Sequence, residues 1–374
     1  MDSMRHALDP DRALPASAYR DQSWLQAEKE RIWHGDWVFV TTEDALPLPG
    51  DQLPVTIGDQ PVLLLRNQAG ELRALSNLCA HRGTLLVETP ANGQRIQCPY
   101  HAWTYDDAGR LLAVPYAPKG AVDKVSHSLP AYRVECWHGL VFVSLDPDVE
   151  PLVERFKAVE PLVAGRGIDT LHHQANLQTT EVWECNWKVA ILNAMESYHL
   201  FKVHPTTLEP YSPTKGAYYI AGSARATATG GSTKGHDDYL LISLPPGFVG
   251  VLSRGSFVWQ AVHPIDTHRC TVRTGGAFAG VPAHRPTGRL GRFRDWMSRT
   301  IGIGAAYSLP DFLAEDKAIC ERVQRGMSGD FVPGRLVPME RVVADFGHYL
   351  NWRLNDVAPA DGFPMHLTIQ AIFR

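Results

Sequence analysis

The sequence predicts an α+β protein in two parts. Residues 37–150 form a small all-β domain, residues 151–374 form a larger domain of helices and antiparallel strands, and residues 1–36 are a helical arm belonging to the second part. Three observations predict this. Short apolar runs of β type, separated by Gly- and Pro-containing turns, crowd the stretch from Trp37 to Asp146. Beyond Pro147 the composition shifts and helical periodicity appears near 186–198 and 310–325. A chain of 374 residues carries a prior of two domains, or of one large domain with an insertion, and 44% hydrophobic with 20% charged residues suits a globular protein with a sizeable core.

In chain order, Ser23 is the expected N-cap of an arm helix whose apolar face carries Trp24, Leu25, Ala27, Ile32 and Trp33. Strands are predicted at 37–40 (WVFV), 61–65 (PVLLL), 72–75 (LRAL) and 140–143 (LVFV). Pro49-Gly50, Ala69-Gly70 and Ala108-Gly109 are the turns between them. Asn186 caps a helix running into Tyr198, rich in Trp187, Val189, Ile191, Leu192 and Met195. Further strands are expected at 218–220, 239–242 and 257–261, a long helix from about Pro310 to Arg325, and a closing strand from His366 to Phe373. The Gly/Ser/Thr/Ala-rich segment Ala221–Gly235 reads either as a surface loop or as a lid over a pocket. No internal repeat is present.

Two loops of the small domain carry ligand-type residues. Cys79-Ala80-His81 is followed after sixteen residues by Cys98-Pro99-Tyr100-His101. Each loop gives one Cys and one His, so two thiolates and two imidazoles can meet between them. That set suits a Rieske [2Fe–2S] cluster, with two Cys on one iron and two His on the other. Zinc takes the same ligand types and is the alternative, although zinc motifs pair Cys with Cys and His with His.

A second set lies in the larger domain, in Glu196-Ser197-Tyr198-His199 and His204-Pro205. Two His five apart converge on one metal if a helix ends between them, which Pro205 favours. A carboxylate added to the pair makes the facial triad of non-heme Fe(II). On the 310–325 helix, Phe312, Leu313, Ile319, Cys320 and Val323 all fall within roughly 60° of Asp316 on a 100° wheel. Asp311 and Glu321 point away and Glu315 lies about 100° off. Asp316 therefore projects from an apolar stripe, where an unpaired carboxylate is costly and needs a cation or hydrogen-bond donor.

With these residues in place the chain resembles the α-subunit of Rieske-type ring-hydroxylating oxygenases. The resemblance runs from about Ala27 to Arg325 and rests on both cluster loops, on Asn186-Trp187-Lys188 leading to Glu196-x-Tyr198-His199 and His204-Pro205, and on Glu315-Asp316. It implies a Rieske domain set into a helix-grip (START-like) catalytic domain, in which a curved antiparallel sheet wraps a long helix. It implies cluster ligands Cys79, His81, Cys98 and His101, and mononuclear iron ligands His199, His204 and Asp316. Glu196 is implied as a bridging carboxylate linking the cluster of one subunit to the iron of the next, and Asn193 joins it as a candidate catalytic residue. Three residues before His199, Glu196 is expected on the same helical face, accepting from its imidazole. Glu at the bridging position resembles the branch that oxidises quaternary amines such as carnitine or glycine betaine. Tyr198, Phe201, Tyr211, Tyr218 and Trp259 are candidates for a cation–π cage, for an aromatic pocket, or simply for core.

The implied activity is O2-dependent hydroxylation or oxidative demethylation of a small organic substrate, with hydroxylation of an aromatic acid as the alternative and a pure electron carrier as the remote one. No flavin or nicotinamide motif is found, since Ala221–Gly235 lacks the strand–Gly-x-Gly-x-x-Gly–helix context. Electrons from NAD(P)H must therefore arrive through a separate reductase or ferredoxin, and a homotrimer is the expected assembly. A net charge of −4 gives no reason to expect nucleic acid or an anionic membrane as partner. Met1 to Arg20 has no apolar core of a signal peptide and no apolar run nears a membrane span, which makes the cytoplasm the expected location. Cys136, Cys185, Cys270 and Cys320 have no pairing pattern and read as buried thiols rather than disulfides.

Overall fold

The computed structural model describes residues 7–233, 236–280 and 309–359. The strand expected at His366 to Phe373 lies outside the described residues. The chain divides into two compact units, Lys29–Leu152 and the combination of Met1–Glu28 with Val153–Arg374. The first boundary thus falls at Glu28, ahead of the composition change at Trp37.

In the Lys29–Leu152 unit, seven strands form one antiparallel sheet in the order Val38–Thr42, Leu140–Ser144, Ala131–Trp137, Leu72–Ser76, Gln60–Arg66, Asp51–Ile57, Ala91–Asn92. Val38–Thr42 and Leu140–Ser144 are buried at every residue, which is why they read as continuous apolar runs. Asp51–Ile57 and Ala131–Trp137 escaped the sequence reading because each is mostly half-buried, and polar residues such as Gln52, Arg133 and Glu135 dilute the β signal. A three-stranded sheet, Ile96–Gln97, Thr104–Tyr105 and Leu111–Ala113, brackets the second Cys/His loop. Cys79 and Cys98 belong to the core beneath the loops, with Leu63, Leu75, Leu86, Trp103 and Tyr105.

The other unit is built on an antiparallel sheet ordered Leu171–His173, Cys270–Ala279, Ser256–Pro264, Phe248–Ser253, His236–Leu244, Thr227–Thr233, Ala217–Gly222, with Thr179–Trp183 also pairing Cys270–Ala279. The helix Trp187–Met195 packs on its central strands and against the helix Leu309–Gly326. A further helix, Arg341–Asn355, packs on Ala217–Gly222 and Thr227–Thr233 and was not predicted.

Four local expectations are corrected. Of Ala221–Gly235, the described residues 221–233 are mostly strand rather than surface loop. Its small residues serve close approach: a Cβ on Gly230 would lie 2.7 Å from the Tyr218 ring, and one on Gly231 2.5 Å from the Tyr239 hydroxyl. Ser23 lies inside the helix Gln22–Glu28, whose first turn closes on the Asp21 carbonyl. Asn186 does cap its helix, accepting from Lys188 N at 3.0 Å, but the helix stops at Met195 rather than Tyr198. All six cysteines are free, and Cys136 is exposed, not buried. The next residue, Trp137, is the one that turns into the core.

Candidate metal centres

The larger unit brings His199, His204 and Asp316 together. His199 and His204 flank the single helical turn Leu200–Val203, and Asp316 reaches them from the helix Leu309–Gly326. The Nε2 atoms of the two histidines lie 3.2 Å apart, and Asp316 Oδ1 is 3.0 Å from His204 Nε2 and 3.5 Å from His199 Nε2. Metal–ligand bonds of about 2.1 Å at right angles place ligand atoms about 3 Å apart, so the trio fits three neighbouring positions on one ion. Asp316 is 7% exposed and His204 fully buried.

The atoms behind the trio hold its orientation. His199 Nδ1 donates to Glu196 Oε1 at 2.5 Å, and His204 Nδ1 donates to Glu315 Oε2 at 2.7 Å. Each Nε2 thereby becomes the nitrogen whose lone pair can serve an ion once its proton is displaced, as metal-bound imidazoles require. Asn193 Nδ2 donates to Asp316 Oδ1 at 2.6 Å. Glu196 is not on the helix, as expected, but at its C-cap in extended conformation. Its Oε2 accepts from the backbone N–H groups of Tyr198 and His199, which ends the helix and turns the chain toward His204. Helical phase missed Glu315. Its carboxylate also accepts from Thr207 Oγ1 at 2.6 Å, and His204 lies between two consecutive acids, so the doublet Glu315-Asp316 was itself the signal. The expected stripe holds at Cys320, which is buried, but Val323 is exposed and Gln324 turns inward to accept from Asn186 N.

The protonation of the site follows from this packing. Burial alone would lower the His199 imidazole, but hydrogen bonds to Asp316 and Glu196 and their charges raise it to about 9. His204 is raised against the same desolvation by Asp316 and Glu315. Burial would raise Asp316, but the two imidazoles hold it below the usual carboxylate range. The two raised imidazoles and the lowered Asp316 carboxylate thus hold protons between them where a cation would otherwise sit.

The trio forms part of the wall of a cavity of about 640 Å³. Its other walls are largely apolar, with Leu200, Leu241, Val251, Val258 and Phe312 among them. Of the five aromatic candidates for a cage, only Trp259 lines it, joined by Tyr239. Tyr198, Phe201 and Tyr211 are exposed, and the Tyr218 ring lies over Gly230.

In the all-β unit the four cluster candidates separate by burial. Cys79 and Cys98 are buried, while His81 and His101 are exposed with ring centroids 4.8 Å apart. Each cysteine opens a tight turn, with Gly83 N donating to Cys79 O and Ala102 N to Cys98 O. His81 stacks on Trp103 at 4.7 Å, and the Tyr105 hydroxyl lies 3.2 Å from Cys79 Sγ. Burial raises the Cys79 thiol. Cys98 is desolvated too, but N–H groups of Tyr100 and His101 aimed at its sulfur lower it, the environment of a thiolate ligand. Thiols inward and imidazoles outward fit a binuclear cluster with chemically different ends better than one tetrahedral ion.

Residues 36–138 match the Rieske [2Fe-2S] domain family, and residues 168–356, just over half the chain, match the ring hydroxylating alpha subunit (catalytic domain) family. The chain belongs to the ring-hydroxylating α-subunit family, with a Rieske domain preceding the catalytic one. It is 34% identical over 201 residues to the glycine betaine monooxygenase oxygenase subunit of Chromohalobacter salexigens, covering 53% of this chain and 44% of that protein. It is 32% identical over 200 residues to the toluate 1,2-dioxygenase subunit alpha of Pseudomonas putida, covering 50% and 43%. The chain thus matches about half the length of these curated relatives. Among solved structures, the quaternary ammonium Rieske monooxygenase CntA superposes with a TM-score of 0.77 at 22% identity, covering 92% of this chain and 98% of that one. A naphthalene 1,2-dioxygenase superposes at 0.76 with 18% identity, covering 95% and 94%. These two likenesses establish the shared fold, a Rieske domain with a curved antiparallel catalytic sheet. Among the described residues, no helix is long and apolar enough to cross a membrane.

Proposed function

We propose that this chain is the terminal oxygenase component of an O2-dependent system that hydroxylates or oxidatively demethylates a small organic substrate, a quaternary or methylated amine first among the choices. The observation that carries the reading is the meeting of His199 Nε2, His204 Nε2 and Asp316 Oδ1 within 3.5 Å in the wall of a 640 Å³ cavity. These three residues are the assigned ligands of a mononuclear Fe(II), and Cys79, His81, Cys98 and His101 those of the cluster. Together the two metal groups supply one-electron reduction and activation of O2 beside the substrate.

The chain's own residues have defined parts. Glu196 and Glu315 hold the Nδ1 protons of His199 and His204, which fixes both tautomers and raises the basicity of the opposite nitrogens. Asn193 takes one Asp316 lone pair and so restrains its rotation. The apolar walls exclude bulk water from the substrate. Glu196 also has the second role of a bridge, accepting from His101 of a neighbouring subunit in a head-to-tail homotrimer, a heterologous ring. Electrons from NAD(P)H reach the cluster through a separate reductase or ferredoxin. A cytoplasmic location fits that supply.

The substrate lean is supported by the likeness to glycine betaine monooxygenase and by Trp259 and Tyr239 in the cavity wall. Hydroxylation of an aromatic acid is the second reading, favoured by the likeness to toluate dioxygenase and by the apolar lining. Reductant-dependent O2 uptake across a panel of methylated amines and aromatic acids tests both, with formaldehyde as the mark of demethylation. Metal analysis separates an oxygenase, with about three iron per chain, from an electron carrier with about two. Iron content near two, with no stimulated O2 uptake, overturns the oxygenase reading.

A further inference from the structure

A second cavity, of about 220 Å³, adjoins the first through two shared lining residues, both bonded to members of the metal trio. Asn193 and Glu196 line both cavities, so they form the partition between them. The body of the second cavity is apolar, walled by Leu192, Ile319, Val343 and Phe346. Besides Glu196, its charged lining residues are the exposed Asp9 and Arg12 and the half-buried Glu340. It belongs to neither the ligand set nor the substrate space.

We infer that this cavity is a binding site and approach route for dioxygen, distinct from the route of the organic substrate. The inference rests on the oxygenase reading above. A substrate seated in the 640 Å³ cavity occupies the space whose wall carries the trio, so a second reactant gains from an approach of its own. Dioxygen is small, uncharged and favoured by apolar surroundings. An apolar cavity loses little by staying dry, and binds small nonpolar guests instead of water. Water needs two to four polar partners, and most of this cavity's lining surface is apolar. On the shared wall, Asn193 and Glu196 are already committed to Asp316 and His199, so they gate the route by position without offering water a full set of partners.

Xenon reports such a cavity without any reaction. Crystals of the metal-loaded protein pressurised with xenon are expected to show a xenon atom among Leu192, Ile319, Val343 and Phe346. Val343→Trp and, independently, Leu336→Trp fill the cavity from segments that carry no metal ligand. Each is expected to abolish that xenon site and to raise the KM for O2 severalfold, with substrate affinity, iron content and cluster absorption unchanged. Absence of xenon from the unsubstituted cavity, or ordered water in its apolar body, overturns the inference whatever the reaction proves to be. So does an unchanged KM for O2 in both filled variants. Failure of the oxygenase reading itself shows differently, as absence of substrate-stimulated O2 uptake in the unsubstituted protein, and it removes the inference with it.

Discussion

Glu315 accepts the Nδ1 proton of His204 at 2.7 Å, while the other nitrogen of the same ring faces Asp316 at 3.0 Å. One buried imidazole is thus gripped between two consecutive residues of one helix, the first acid orienting it and the second meeting it at the candidate metal position. A carboxylate of this kind, behind the ligands rather than among them, affects affinity for the ion more than its identity.

Glu315→Ala is expected to lower affinity for the mononuclear ion by about 10–100-fold, because the ring of His204 loses its acceptor. Asp316→Ala is expected to abolish that site. Both are expected to leave the visible absorption of the cluster intact. Iron analysis after gel filtration, with the spectrum recorded on the same sample, reads both effects. If Glu315→Ala empties the site and Asp316→Ala does not, the ligand has been assigned to the wrong acid.

The pH dependence of metal uptake has a defined sign. His199 is held at about 9 by Asp316 and Glu196, against the desolvation that would lower it, and an ion must displace its proton. Affinity of the metal-free protein for a divalent ion is therefore expected to climb as pH rises toward about 9 and to level above it. The raised value also stabilises the metal-free fold. That stability is fully present below the ordinary histidine value near 6.5 and is lost as pH rises through about 9. Titration calorimetry with Mn(II) or Co(II) at a series of pH values checks the first statement, and thermal melts of the apoprotein check the second.

How much of this was legible in the sequence depends on how local each signal is. Cys79, His81, Cys98 and His101 could be read because each loop closes on itself within a few residues. Asp316 could be read because helical phase fixes direction within one element. Glu315 was misjudged by the same argument, since phase describes the helix alone and its partner His204 arrives from another segment. Glu196 was placed on a helix because nothing nearby breaks one; its own carboxylate, capping two N–H groups, ends it. The Gly-rich 221–235 stretch looked like loop because the tyrosine rings that require Gly230 and Gly231 come from positions 218 and 239, both of them across strand pairings. Asp51–Ile57 and Ala131–Trp137 were hidden by half-burial.

Lys188 and Glu28 form an ion pair at 2.6 Å with both side chains fully buried. Trp187 Nε1 donates to the second oxygen of Glu28 at 2.7 Å, tying the N-terminal helix to the helix that leads to Glu196. Desolvation raises Glu28 and lowers Lys188, and their mutual attraction opposes both shifts. Removing one partner strands the other, so Lys188→Met is expected to cost about 3–5 kcal/mol. Lys188→Met combined with Glu28→Gln is expected to recover a large part of it. Urea melts of the single and double variants measure the coupling; equal stability of the two would show that the pair is not what is lost.

Glu196→Gln separates the orienting role of this residue from its bridging role. In the structure both carboxylate oxygens are occupied: Oε1 accepts from His199 Nδ1, and Oε2 from the backbone of Tyr198 and His199. An amide has one acceptor oxygen and one donor nitrogen, so one of these two sets must be lost whichever way it turns. If the oxygen stays on the backbone, the amide N–H groups face the His199 Nδ1 proton, and the ring can no longer be held in its ligating tautomer by an anion. The helix end survives, and the three ligand atoms remain. A bridge to His101 of a neighbouring subunit would lose its charge at the same time. Glu196→Gln is therefore expected to retain iron at both sites and a cluster that external reductant still reduces, yet to lose most turnover. Single-turnover oxidation of the pre-reduced cluster, in the presence of substrate and O2, isolates the step. A rate equal to that of the unsubstituted protein would mean that electrons reach the iron by a path that does not pass Glu196.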